Sequence, residues 1–178
     1  AGFIGSHVCE QLLEMGHFVY GIDNMNDYYS VDIKWKNISL LQKYERSFKF
    51  FKLDICNRYE LQKIIQTWKP SKICHLASMA GVRYSIENPG LYVTTNINGF
   101  INILECARLV GVKGVVYASS SSVYGLNEML PFRESDPITL CNSPYACSKM
   151  SMELFASTYY RLHKIPMIGL RFFTVYGP

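Results

Sequence analysis

The feature that most constrains this chain is a regular alternation of short apolar runs with longer amphipathic stretches. Ser6–Met15 carries Val8, Leu12, Leu13 and Met15 at helical spacing, and Gly16 stops it. Phe18–Ile22 is short, apolar, aromatic and β-branched, which reads as a buried strand. The pattern then repeats: a helix over Val31–Tyr44, a strand over Phe48–Leu53, and a helix from an Asn57 cap to Trp68, closed by Pro70. A strand over Lys72–Leu76 leads into a Gly- and Ser-containing loop that runs to Pro89. A long helix over Leu91–Leu109, a strand over Gly114–Ala118, a helix over Tyr145–Leu162 and a strand over Met167–Leu170 complete the series.

Strands separated by helices of this length make βαβ units. The expected fold is therefore α/β, a doubly wound parallel sheet of the Rossmann type, with residues 1–178 forming one domain. At 178 residues, 49% hydrophobic and 18% charged, the chain buries a core without disulfides, and disorder, collagen and coiled coil are excluded. It opens at Ala1-Gly2 without Met and ends in the turn Tyr176-Gly177-Pro178, so both ends read as cut. In this fold a strand precedes the first glycine turn, and the reading expects that strand to be missing.

A net charge of +4, weak and scattered, does not argue for nucleic acid but is compatible with an anionic small molecule. No apolar run reaches a membrane-spanning length. The six Cys show no C-x-x-C pair and no His at ligand spacing, which points to no metal and to reduced core thiols in a cytoplasmic protein. The four His stand singly and read as surface or core residues.

Gly2-Phe3-Ile4-Gly5 places two glycines at the start of a helix. Gly2 lets the backbone approach a pyrophosphate, Gly5 allows close packing, and the free N–H groups and the helix dipole hold the anion. The same pair can be an ordinary turn. Asp23 stands 18 residues after Gly5, at the end of the second strand, where a carboxylate takes the adenosine ribose hydroxyls and selects NAD over NADP. A strand-end turn with Asn24 is the alternative. Asp54-Ile55 follows the third strand, where the acid can meet the adenine amino group and Ile55 its ring, or where Asp54 simply starts a helix.

Tyr145 and Lys149 stand at i and i+4, on one helical face. An ammonium there favours a phenolate able to act as acid–base. Ser119–Ser122 follows a strand, at the carboxyl end where such folds bind ligands, or forms a solvated loop.

Taken with His75-Leu76-Ala77 and the run Arg171–Pro178, these motifs span essentially the whole chain. Together they resemble the extended short-chain dehydrogenase/reductases, and within them the nucleotide-sugar epimerases. The resemblance implies a tightly bound NAD held by Gly2, Phe3, Ile4, Gly5, Asp23, Asn24, Asp54, Ile55, Leu76, Ala77, Tyr145 and Lys149. It implies catalysis by Tyr145 as base, Lys149 as its partner, and Ser120, 25 residues before Tyr145, on the reacting hydroxyl. The implied reaction oxidises C4 of a UDP-sugar, turns the 4-keto sugar and reduces its other face.

The similar 4,6-dehydratases carry Asp-Glu before Val-Tyr-Gly, and the decarboxylases carry Glu before that Val. Ser121-Ser122-Val123 supplies neither, which leaves epimerisation. Asp23–Tyr29 with Lys34-Trp35, and Ala80–Ser85, resemble the UDP-glucuronate 4-epimerases. Ser121, Ser122 and Thr174 then become neutral donors to the sugar carboxylate, and Arg83 a substrate-loop residue or a surface one. UDP-glucose/galactose epimerisation and a non-catalytic truncated dinucleotide module are the alternatives. The resemblance also implies a homodimer through the Leu91–Leu109 and Tyr145–Leu162 helices, and a C-terminal substrate domain.

Overall fold

The computed structural model describes residues 1–177. The chain divides into two compact units, Ala1–Asn57 and the residues from Arg58 onward.

The first unit runs α1 (Phe3–Glu14), β1 (Val19–Asp23), α2 (Val31–Leu41), a 3₁₀ turn (Gln42–Tyr44) and β2 (Phe48–Lys52). β1 and β2 pair in parallel, with Val19 opposite Phe48 and Asp23 opposite Lys52. The apolar faces of both helices supply Leu13, Ile38 and Leu41, which pack with Val19 and Phe48 as one core. α1 starts three residues before the predicted Ser6, because Gly2 already serves as its extended N-cap, with φ −75° and ψ 177°.

The second unit contains α3 (Arg58–Trp68), β3 (Ile73–His75), α4 (Val82–Glu87), α5 (Pro89–Tyr92), a π-helical segment (Val93–Asn98) and α6 (Gly99–Val110). It continues through β4 (Val115–Ser120), a 3₁₀ turn (Ser121–Tyr124), α7 (Pro144–His163) and β5 (Met167–Phe172). The sheet order is β3-β4-β5, all parallel. Phe100 and Leu104 of α6, Tyr117 of β4, and Met152 and Ala156 of α7 form one core cluster. Ala107, Val112, Val115 and Ile165 form another. Parallel strands joined through helices give the α/β, Rossmann-type class that the alternation predicts.

Three local features depart from the sequence reading. The predicted loop before Pro89 contains the six-residue α4, too short to show a helical period. The predicted helix over Leu91–Leu109 is interrupted by the π segment, in which Asn96 is fully buried. β4 runs two residues past Ala118, because Ser119 and Ser120 continue the ladder opposite Arg171 and Phe172. The six cysteines are free, but they are not all core thiols: Cys106 alone is buried, while Cys74 and Cys147 are exposed. Gly125, just past the 3₁₀ turn, has φ +56°, and a Cβ there would run into the Leu140 carbonyl oxygen. Among the described residues, no helix is long and apolar enough to cross a membrane.

Candidate functional site

In the first unit the parallel pairing of β1 and β2 brings two carboxyl-end acids together. Asn24 Nδ2 donates to Asp54 Oδ2 at 3.0 Å, linking the residues that follow each strand. Asp23 Oδ1 accepts from Met25 N at 2.7 Å and from Lys34 Nζ at 3.4 Å. Burial pushes the Asp23 carboxyl up, while the Met25 N–H and the Lys34 ammonium pull it down. Asp54 Oδ1 accepts from Cys56 N at 2.8 Å. Against the upward push of burial, Asn24 and Cys56 hold Asp54 low as well. The turn considered for Asp23 is present, and Asp54 makes a local turn of its own. Ile55 is buried beside it.

At the same end of this unit, beside Asp23, Phe3, Ile4 and Gly5 form the first turn of α1, whose N–H groups have no intrahelical acceptor. Gly2 is crowded as well as permissive: a Cβ there would stand 2.9 Å from the Tyr29 hydroxyl.

In the second unit, α7 is started by a cap that sets where Tyr145 falls. Ser143 Oγ accepts from Ala146 N at 3.1 Å, and Pro144 takes the first helical position, where its missing N–H costs nothing. Tyr145 therefore lies in the first turn and Lys149 one turn later. Lys149 is 1% exposed, and its Nζ donates to Ser78 Oγ and to Ala118 O, each at 2.7 Å. Nζ lies 5.9 Å from the centre of the Tyr145 ring. Both acceptors are neutral oxygens, so burial dominates and pushes the Lys149 pKa down to about 7.

Ser120, at the last position of β4, accepts from Ser122 N at 3.1 Å through Oγ. That bond orients its hydroxyl and leaves the hydroxyl hydrogen as a donor. Ser121 and Ser122 lie half-buried in the following turn, and Leu76 and Ala77 half-buried just after β3. Arg83 is exposed on α4, and Thr174 is exposed beyond β5.

Several residues outside the sequence reading hold this arrangement. Asn96 receives Met79 N at 2.7 Å and gives Nδ2 to Met79 O and Ser148 Oγ, each at 2.9 Å. The Tyr92 hydroxyl sits 2.6 Å from Ala80 O and 2.9 Å from Gly81 O, and its ring meets Tyr145 edge-on. The 78–81 segment is thus tied by Lys149, Asn96 and Tyr92. Glu153, one turn beyond Lys149, takes Arg171 Nε at 3.0 Å and Nη2 at 2.9 Å, and also the Ser119 hydroxyl. The Arg171 guanidinium lies 4.8 Å over the Tyr124 ring. His75 is a core residue stacked on Phe100, and burial with the Lys149 charge pushes its pKa to about 3, so it stays neutral. The i+4 spacing from Lys149 could have revealed Glu153. Nothing local marks Ser78 or Asn96.

A family model described as GDP-mannose 4,6 dehydratase matches residues 1–178. The chain belongs to that family. Relatives of this GDP-mannose 4,6 dehydratase family member include protein CapI of Staphylococcus aureus, 49% identical over 178 residues, covering 100% of this chain and 53% of the relative. A UDP-glucuronate 4-epimerase of Thermodesulfobacterium geofontis is 45% identical over 178 residues, covering 100% of this chain and 54% of the relative. Among solved structures, the Bacillus cereus UDP-glucuronic acid 4-epimerase in complex with UDP-glucuronic acid and NAD matches with TM-score 0.89 at 36% identity. That match covers 99% of this chain and 55% of the other. The chain spans about half the length of the curated relatives it matches.

Proposed function

We propose that the full-length protein inverts C4 of a UDP-sugar, converting UDP-glucuronate to UDP-galacturonate with a tightly held NAD. The observation that carries this reading is the placement of Tyr145 and Lys149 one turn apart on α7, with Lys149 hydrogen-bonded to Ala118 O of β4, two residues before Ser120. The relatives named as UDP-glucuronate 4-epimerases support the substrate.

The residues fit a dinucleotide. An extended glycine opens α1, and the acids Asp23 and Asp54 meet through Asn24 at the strand ends. Gly2, Phe3, Ile4 and Gly5 would hold the diphosphate, Asp23 and Asn24 the adenosine ribose, and Asp54 with Ile55 the adenine. Leu76, Ala77, Tyr145 and Lys149 would hold the nicotinamide half. When bound, NAD supplies a reversible hydride acceptor. Ser120 donates its hydroxyl hydrogen to the reacting C4 oxygen, and Tyr145 takes the C4 hydroxyl proton and returns it. Lys149, one turn from Tyr145 and pushed down to about 7 by burial, is the partner that favours the Tyr145 phenolate when it carries its proton.

Ser121 and Ser122 occupy the positions where related dehydratases and decarboxylases carry carboxylates, which favours epimerisation although the family is named for a dehydratase. With Thr174 they offer neutral hydroxyls to the sugar carboxylate, and Arg83 is assigned to the substrate loop. The exposed Leu109, Leu154 and Leu162 of α6 and α7 are consistent with a helical homodimer contact.

Incubating the full-length protein with UDP-glucuronate and reading the product by NMR tests the proposal. Inverted C4 is expected, and retained configuration with CO₂ release overturns it. Faster turnover of UDP-glucose than of UDP-glucuronate would move the substrate to the neutral sugars. Thr174→Val combined with Ser122→Ala should lower kcat/KM for the acid sugar, and an unchanged value removes the carboxylate assignment.

A further inference from the structure

The segment after β1, Asn24–Tyr29 with Lys34, matches the epimerases by resemblance and follows Asp23, the acid assigned to the adenosine ribose. Its geometry gives it a different task. Asn24 Oδ1 accepts from Asn26 N at 3.1 Å while Asn24 Nδ2 holds Asp54, so the start of the segment is anchored to both strand ends. Lys34 is 4% exposed. Its Nζ donates to Asn26 Oδ1 at 3.1 Å and to Asp23 Oδ1 at 3.4 Å, and lies 4.9 Å over the Tyr29 ring. Burying an ammonium is costly unless it is paired and hydrogen-bonded, and here one ammonium ties the strand-end acid, the segment and the ring together. The tyrosine so held places its hydroxyl against the phosphate turn, 2.9 Å from where a Gly2 Cβ would be.

We propose that Tyr29 and Lys34 are cofactor-retaining residues: Tyr29 closes over the phosphate turn at Gly2, and Lys34 braces both Tyr29 and the ribose-binding Asp23. The proposal rests on the reading of this unit as an NAD site. Burial and the Asp23 charge push the Tyr29 phenol up from its ordinary value, so it keeps its proton and is a hydrogen-bond donor beside the α1 N–H groups. Lys34 offsets the Asp23 carboxylate, which would otherwise face a ligand carrying two phosphate charges. A reaction that regenerates its NAD in every cycle gains from slow release of that NAD. The segment then marks retention of the dinucleotide, and not recognition of the sugar.

The test uses the full-length protein stripped of nucleotide, with NAD affinity read by fluorescence quenching and release by stopped flow. Tyr29→Ala and Lys34→Met should each weaken NAD binding about tenfold, mostly through faster release. Gly2→Ala should also weaken it, and the loss should shrink in the Tyr29→Ala background, because the clash with the hydroxyl is gone. Should Lys34→Met lose its far-UV circular dichroism, Tyr29→Phe, which removes only one oxygen, decides through the same release rate. Release within twofold of wild type in the folded variants, with no Gly2–Tyr29 coupling, overturns the proposal alone. A wild-type protein that binds no NAD overturns the NAD reading beneath it.

Discussion

Replacing Lys149 by methionine should alter how stability depends on pH, with a sign fixed by its burial. In the unfolded chain this ammonium keeps its proton up to the ordinary value of 10.5, whereas in the folded protein it gives it up at about 7. Between those values the unfolded state binds one more proton, so stability rises with pH. Below pH 7 both states are protonated, and the contribution is flat at its least favourable level. Each pH unit in the window is worth about 1.4 kcal/mol. From pH 7 to 9 the wild type should therefore gain about 2 to 3 kcal/mol on Lys149→Met. Urea unfolding of both nucleotide-free proteins at pH 6, 7, 8 and 9, followed by fluorescence of Trp35 and Trp68, gives this gap directly. Subtracting the two curves cancels the titrating groups that do not feel Lys149, and His75, which does, stays neutral in the folded protein across the pH 7–9 window. A gap that is the same at pH 7 and pH 9 refutes the reasoning, because it would mean that Lys149 stays charged in the folded protein.

Three further outcomes follow from the geometry. Glu153→Gln leaves the Arg171 guanidinium without its carboxylate, with side-chain exposure of 14% and 18% for the pair, and should cost roughly 2 to 3 kcal/mol, a fall in Tm of about 5 to 10 °C. Calorimetry checks it, and an Arg171→Met, Glu153→Gln double variant should lose less than the sum of the singles. Gly125→Ala puts a Cβ into the Leu140 carbonyl oxygen at a residue with positive φ, so the 126–143 loop should become protease-sensitive, with Tm lowered by several degrees. Ser143→Ala removes the α7 cap and should cost about 1 kcal/mol by urea titration.

The elements legible in the sequence are those whose side chains repeat along one segment. The apolar periods of Val31–Leu41 and Gly99–Val110 and the short runs Val19–Asp23 and Val115–Ala118 announce themselves because burial is one-sided or complete. The 3₁₀ turn after Leu41 and the last two residues of β4 are set by neighbours, such as the β5 ladder, and not by local pattern. Tyr145 and Lys149 are legible because helical spacing is itself a statement about distance. Ser78 and Asn96 are not, because a small polar residue acquires its meaning only when a chain segment 71 or 52 residues away arrives as its partner. The burial of Lys34 is equally hidden: the insert around it is recognisable by resemblance, but nothing in its helical neighbourhood marks its side chain as buried.

The π segment at Val93–Asn98 also bears on how this chain can change in length. Its wider turn lies between Tyr92 and Asn96, which stand four residues apart and both reach the 79–81 backbone. Deleting a single residue between Tyr92 and Asn96 would cut their spacing from four to three and turn Tyr92 relative to Asn96 about the helix axis. Tyr92 would leave Ala80 and Gly81, and the segment that receives the Lys149 proton donor would lose one of its ties. Exposed positions here can vary in residue type, whereas the number of residues between Pro89 and Gly99 is fixed by the chemistry carried on a different helix.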